Sequence, residues 1–92
     1  MSKEHITSLV NEALARAIAD NSLPSVDAGH IELERPKRKE HGDWSTNLAL
    51  AVAGKVGKNP REVARIITEA LPEAPDVISK VEIAGPGFIN FH

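Results

Sequence analysis

The chain has no cysteine and no tyrosine, and its aromatic side chains are Trp44, Phe88 and Phe91. Without cysteine, a disulfide scaffold, a thiolate metal site and a cysteine nucleophile are excluded. With so few aromatic rings, the core must be built from Ile, Leu, Val and Ala. No apolar run approaches the ~20 residues that cross a bilayer. The start, Met1 to His5, is charged and has no apolar segment of the secretory kind, and no Asn-x-Ser/Thr acceptor occurs. The expected setting is the cytoplasm. Neither charge sign dominates: eleven basic against thirteen acidic residues give a net charge of -2. That argues against gripping nucleic acid with the whole surface and leaves room for a local basic patch.

What is present fits one small globular domain spanning residues 1–92, with 41% hydrophobic and 26% charged residues. Ile6, Leu9, Val10, Ala13, Leu14, Ala17 and Ile18 repeat at helical spacing behind Ser2, a good N-cap; Asn21, Ser22 and Pro24 supply the stop. His30 to Arg35 alternates, which reads as a half-buried strand with Ile31 and Leu33 inward. Residues 35–43 are a charged loop. Asp43 is expected to cap a second helix from about Trp44 to Val56, closed by Gly57. Asn59, Pro60 and Glu62 form the start signature of a third, as N-cap, N1 and a reach-back carboxylate. Its apolar stripe runs from Val63 to Leu71, and Pro72 ends it. Residues 78–84 and 88–92 read as two strands joined by the turn Gly85-Pro86-Gly87. The expected class is α+β: about three helices on a small antiparallel sheet of three to four strands. The chain stops within an apparent strand, so continuation into a longer protein is expected.

Candidate chemistry is sparse. His5, His30, His41 and His92 fall in four separate elements with no His-x-x-x-His pair, a pattern of solvated or capping side chains rather than metal ligands. His41 beside Asp43 could form an acid/base pair, but no nucleophile accompanies it. The glycines around Lys55 and Lys58 lack the spacing of a phosphate loop. Basic residues do cluster. Arg35, Lys37, Arg38 and Lys39 form one group, and Lys55, Lys58, Arg61 and Arg65 another. Lys37, Arg38 and Lys39 are the candidate phosphate contacts.

The last strand carries most information. Alternation puts Ile89 and Phe91 on one face, Phe88 and Asn90 on the other. With Ile89 and Phe91 in the core, an exposed ring stands beside an amide, which is the equipment for reading a splayed-out base: the ring stacks and the amide bonds its edge. Two other placements fit the same alternation. Phe88 could be core with a twisted register, or a following helix could cover both residues.

Three blocks then fit together: His41-Gly42-Asp43-Trp44-Ser45-Thr46-Asn47, Lys58-Asn59-Pro60-Arg61-Glu62-Val63, and Gly85-Pro86-Gly87-Phe88-Ile89-Asn90-Phe91. In order and spacing the chain resembles the N-terminal additional domain of arginyl-tRNA synthetases of bacterial type. The resemblance implies a domain that precedes a class I catalytic domain and docks on the outer corner of tRNA(Arg), reading the D-loop. It implies that Phe88 packs on the exposed base and Asn90 bonds it. Gly85 stands where some eukaryotic relatives carry an asparagine that touches the base, so no such contact is carried onto it. The resemblance further implies a parent arginine–tRNA ligase that uses ATP and Mg, while these 92 residues contain neither nucleotide-binding loop of that class. The piece itself is then non-catalytic and without cofactor; its partners are tRNA(Arg) and the parent's catalytic domain, with no membrane or DNA. Two rivals use the same scaffold: a protein-interaction module recruiting through its last strand, and a small free-standing enzyme built on His41 and Asp43.

Overall fold

The computed structural model describes residues 2–27, 29, 31–74 and 76–92, with Lys39 described by its backbone alone. Helix α1 spans Lys3–Ala19, and Ser2 Oγ accepts from the His5 amide at 3.1 Å, the cap that its hydroxyl promised. Its apolar stripe is buried from Ile6 to Ala17, with Ile6, Val10, Ala13 and Ala17 fully closed off from solvent and Ile18 partly buried at the end. Helix α3 spans Pro60–Ala70, with proline at its first position and Asn59 Oδ1 accepting from the Arg61 amide at 2.9 Å. Glu62, expected to reach back to the cap, instead binds Arg65 one turn on. A charge-assisted pair outbids an amide that water can satisfy. Helix α3 is the hub, packing on α1, on the helix that precedes it and on two strands.

The second helix starts later than its sequence implies. Residues Trp44–Thr46 form strand β1, and α2 covers Leu48–Val56. Asp43 therefore caps no helix. It precedes a strand, and its backbone amide donates to the Phe91 carbonyl at 2.7 Å. The free amide at the start of α2 is met from inside the strand, where the buried Thr46 Oγ1 accepts from Leu48 N at 3.2 Å. Gly57, in the left-handed region at φ 72, ends α2.

The sheet is three-stranded and antiparallel in the order β1-β3-β2, with β2 at Val81–Ala84 and β3 at Phe88–Phe91. The class is α+β, three helices against this sheet. The expected strand over His30–Arg35 is reduced to one bridge, Glu34 with Ser45, made by two backbone hydrogen bonds of 2.8 Å. His30 lies outside the described residues. Pairing cannot spread further because Pro36 has no amide on one side, and Asn47 turns into α2 on the other. Ile31 and Leu33 nonetheless face the core, at 5% and 4% exposure, so the alternation reports burial where no ladder exists. Gly42 is held at φ +95 against the Phe91 carbonyl, where a β-carbon would collide with backbone.

Two substitutions separate the observed helix start from the expected one. Thr46→Val should destabilise the chain by about 1–3 kcal/mol, since it leaves the Leu48 amide buried without a partner. Asp43→Ala should stay within about 0.5 kcal/mol of wild type. Urea denaturation measures both, and equal effects would contradict this account of α2.

Candidate functional site

Strand β3 lies in the middle of the sheet, so its side chains are fixed by pairing on both sides. Trp44 and Val81 flank Phe91, while Thr46 and Ile83 flank Ile89. This is the inner face, and Ile89 and Phe91 are fully buried in it. The outer face carries the alternate residues. One row crosses the whole sheet there: Glu34, Ser45, Asn90 and Glu82. Phe88 stands next to Asn90 along β3 and opposite Ala84.

Among the described residues, Phe88 is the one large hydrophobic side chain left exposed, at 39%. Asn90 lies on the same outer face as expected but is only 6% exposed. It is flanked across the sheet by Ser45 and Glu82, and the segment from Arg35 to Arg38, with His41, lies along the outer face beside it. Together they form a groove of about 640 Å³, with Ser45, Ala84, Phe88 and Asn90 along the sheet and Lys37, Arg38 and His41 on the overhanging segment. Among the described residues the Asn90 amide has no hydrogen-bond partner, yet none of its atoms is sealed from solvent without one. The ring and the amide thus share one concave surface, the ring raised and the amide recessed.

The basic side chains divide into engaged and free. Arg65 bridges Glu62 and Glu69, with Glu69 at 2.7 Å. That hydrogen bond from Arg65 holds the Glu62 carboxyl below its ordinary value, and the two carboxylates raise the guanidinium's own. Lys55 donates to the Asp27 carbonyl and Arg61 to the Gly85 carbonyl. The second basic group is thereby largely committed within the molecule. In the first group, Arg35 lies over the Trp44 ring, 4.7 Å from its centroid, and Arg38 makes an exposed 3.4 Å contact with Glu40. Lys37 is exposed at the groove, and the Lys39 side chain lies outside the described residues. At the other end of the outer row, Lys80 holds the Glu82 carboxyl low, and His92 Nε2 sits 2.9 Å from it.

His41 closes a short 3₁₀ turn, Lys39–His41, and its amide donates to Arg38 O at 3.0 Å. Among the described residues no three of His, Cys, Asp and Glu come together as metal ligands. No helix among them is long and apolar enough to cross a membrane. Sequence reasoning missed the burial of Asn90 and the Arg61–Gly85 bond. The partners in that bond are 24 residues apart, so the sequence groups Arg61 with its basic neighbours but shows nothing of what it meets.

The geometry makes a stability prediction. Phe91→Ala should cost about 3–5 kcal/mol by opening a cavity in the core. Phe88→Ala should cost about 1 kcal/mol or less, because much of that ring is already in water. Thermal melting of the two variants checks the assignment, and a comparable loss in both would place Phe88 in the core.

A family model described as arginyl tRNA synthetase N terminal domain matches residues 4–92. The chain is 45% identical over 89 residues to an arginine–tRNA ligase of Idiomarina loihiensis and 46% identical over 90 residues to one of Geotalea uraniireducens. A ligase of Shewanella woodyi is 48% identical over 89 residues. These alignments cover 97%, 98% and 97% of this chain but 15%, 16% and 15% of the relatives, so the chain spans less than a fifth of their length. Among solved structures, an arginyl-tRNA synthetase from Plasmodium falciparum matches with a TM-score of 0.77 over 96% of this chain and 15% of that one. At 15% sequence identity that likeness is one of fold.

Proposed function

Because the chain belongs to the arginyl-tRNA synthetase N-terminal domain family, we propose that it is a tRNA-recognition domain of an arginine–tRNA ligase, using the outer face of its sheet to seat the D-loop corner of tRNA(Arg). The observation that carries the reading is the pairing of an exposed Phe88 with a recessed Asn90 amide that has no hydrogen-bond partner among the described residues, both in one groove. A base leaving its stack in the loop lays its face on the Phe88 ring. Its edge then meets the Asn90 amide, which offers both donors and an acceptor. Lys37 and Arg38, at the groove, lie where the phosphates beside that base pass, and Lys39 joins them in sequence.

The chemistry of the ligase happens elsewhere. Activation of arginine with ATP and Mg, and transfer to the tRNA, belong to a catalytic domain outside these residues, in the cytoplasm. The role of this domain is to add affinity and discrimination by fixing a distant corner of the tRNA. A stacked base contributes about 1–3 kcal/mol. With a net charge of -2, the domain has little general attraction for a polyanion, so the stacked base carries much of the binding.

The test is a titration of the chain with tRNA(Arg) at low salt, followed through the amide and Phe88 ring resonances. Phe88→Ala should weaken binding by about 5-fold to 150-fold, following the stacking range, while the chain still melts cooperatively with a loss of about 1 kcal/mol or less. Asn90→Leu should mainly erase the preference for tRNA(Arg) over a transcript with altered D-loop bases. Binding indifferent to both substitutions would overturn the reading. A face that ignores tRNA and instead takes up another protein, with little salt dependence, would support the interaction-module alternative.

A further inference from the structure

The hairpin turn that presents Phe88 does not stand alone. Its three linking residues, Gly85, Pro86 and Gly87, rest on the first turn of α3. A β-carbon at Gly87 would come within 2.9 Å of the Pro60 side chain and 3.1 Å of its backbone, so the turn touches the helix start with no space between. Gly87 also sits at φ +144 and Gly85 at φ +55, conformations that side chains other than glycine rarely adopt. One residue further along α3, the Arg61 guanidinium donates to the Gly85 carbonyl. The Arg61 backbone is itself fixed, because its amide is the one that Asn59 caps.

We propose that Arg61 is a positioning residue for Phe88: it clamps the turn onto α3 and so fixes the direction in which the ring leaves the sheet. The inference rests on the reading of Phe88 as a base-stacking ring, and goes beyond it by assigning a determinant outside the groove. Two features favour positioning over direct phosphate contact. The guanidinium is already engaged with a main-chain carbonyl of the turn, and Arg61 does not line the groove. The turn also needs a clamp. Gly85 and Gly87, at positive φ, bring no side chains of their own to hold the turn, so its direction depends on the Gly87–Pro60 contact and on the Arg61–Gly85 hydrogen bond. A ring held at a loose angle would lose stacking to disorder before a base arrives.

The experiment compares Arg61→Met, Arg61→Lys, Phe88→Ala and the double variant Arg61→Met/Phe88→Ala, all in the 92-residue chain titrated with tRNA(Arg). Arg61→Met keeps the aliphatic stem and loses the donor. It should weaken binding about 5-fold alone and less than about 2-fold when Phe88 is already absent, the non-additivity expected of coupled residues. Arg61→Lys, which retains a donor, should recover most of the loss. The slope of affinity against salt should be the same in Arg61→Met and wild type, whereas loss of a phosphate contact would lower it by about 0.7–0.9. Hydrogen exchange in the absence of tRNA gives a second readout: the Gly87 and Phe88 amides should exchange faster in Arg61→Met at an unchanged melting temperature. Equal losses in both backgrounds with a shallower salt slope would make Arg61 a phosphate ligand and overturn the proposal. Unchanged exchange at Gly87 and Phe88 would overturn it independently of tRNA. If Phe88→Ala itself binds as wild type, it is the base-stacking reading that fails, and the exchange result still decides whether Arg61 clamps the turn.

Discussion

The structure depends on the central position of β3. A strand bonded on both sides has no freedom to rotate, so the two-residue period of its side chains becomes a hard division between core and surface. Ile89 and Phe91 close the hydrophobic core against the helices, and Phe88 and Asn90 are thereby forced onto the opposite face. A slip of one residue would send Phe91 into water and Phe88 inward. Two close approaches oppose that slip. Gly42 lies against the Phe91 carbonyl at one end of the strand, and Gly87 lies against Pro60 at the other. Both positions leave no room for a side chain, so the strand is pinned at each end by backbone contact.

Charge is distributed in a way that the net value conceals. Most of the second basic group is tied to carbonyls and carboxylates of its own fold, through Arg65, Lys55 and Arg61. Arg35, Lys37 and Arg38 lie along the segment that overhangs the outer face, close to Phe88. The same face also carries Glu34 and Glu82 in the row that contains Asn90. A polyanion therefore meets mixed signs rather than a positive field, and its approach is favourable only with the cations on the overhang toward its backbone. Such an arrangement gives orientation more than attraction.

Much of the architecture is legible in the sequence, and the exceptions have physical causes. The helices α1 and α3 follow from apolar spacing and from caps at Ser2 and Asn59, signals that are local and act within four residues. The β2–β3 hairpin follows from alternation around Gly85 and Gly87. Strand β1 was hidden because Trp44 to Thr46 runs directly into the apolar helix at Leu48, and three residues are too few to show a period. Its strand character comes from pairing with β3, more than forty residues away, which no local window contains. The reverse happened at Ile31 and Leu33, where a true alternation of burial has no ladder beneath it. In the groove, the alternation places Asn90 on the outer face, but its burial is a property of what surrounds it in space, and the path of the charged loop along that face is set by tertiary contacts.

The recess of Asn90 changes what the two groove residues can do. An exposed ring stacks with any base, since every base has a π-face, and so gives affinity with little selectivity. An exposed amide would add little more, because water replaces whatever partner a wrong base fails to offer. Asn90 is instead almost wholly withdrawn from solvent while its amide lacks a partner among the described residues. On the proposed reading, a base that filled the groove without matching the amide would displace the water that can reach it and leave buried polar atoms unpaired, the situation in which hydrogen bonding discriminates most strongly. On the same reading, the Arg35 to Arg38 segment borders the groove in which the ring and the amide would take a base, and selectivity would come from the amide rather than from the ring.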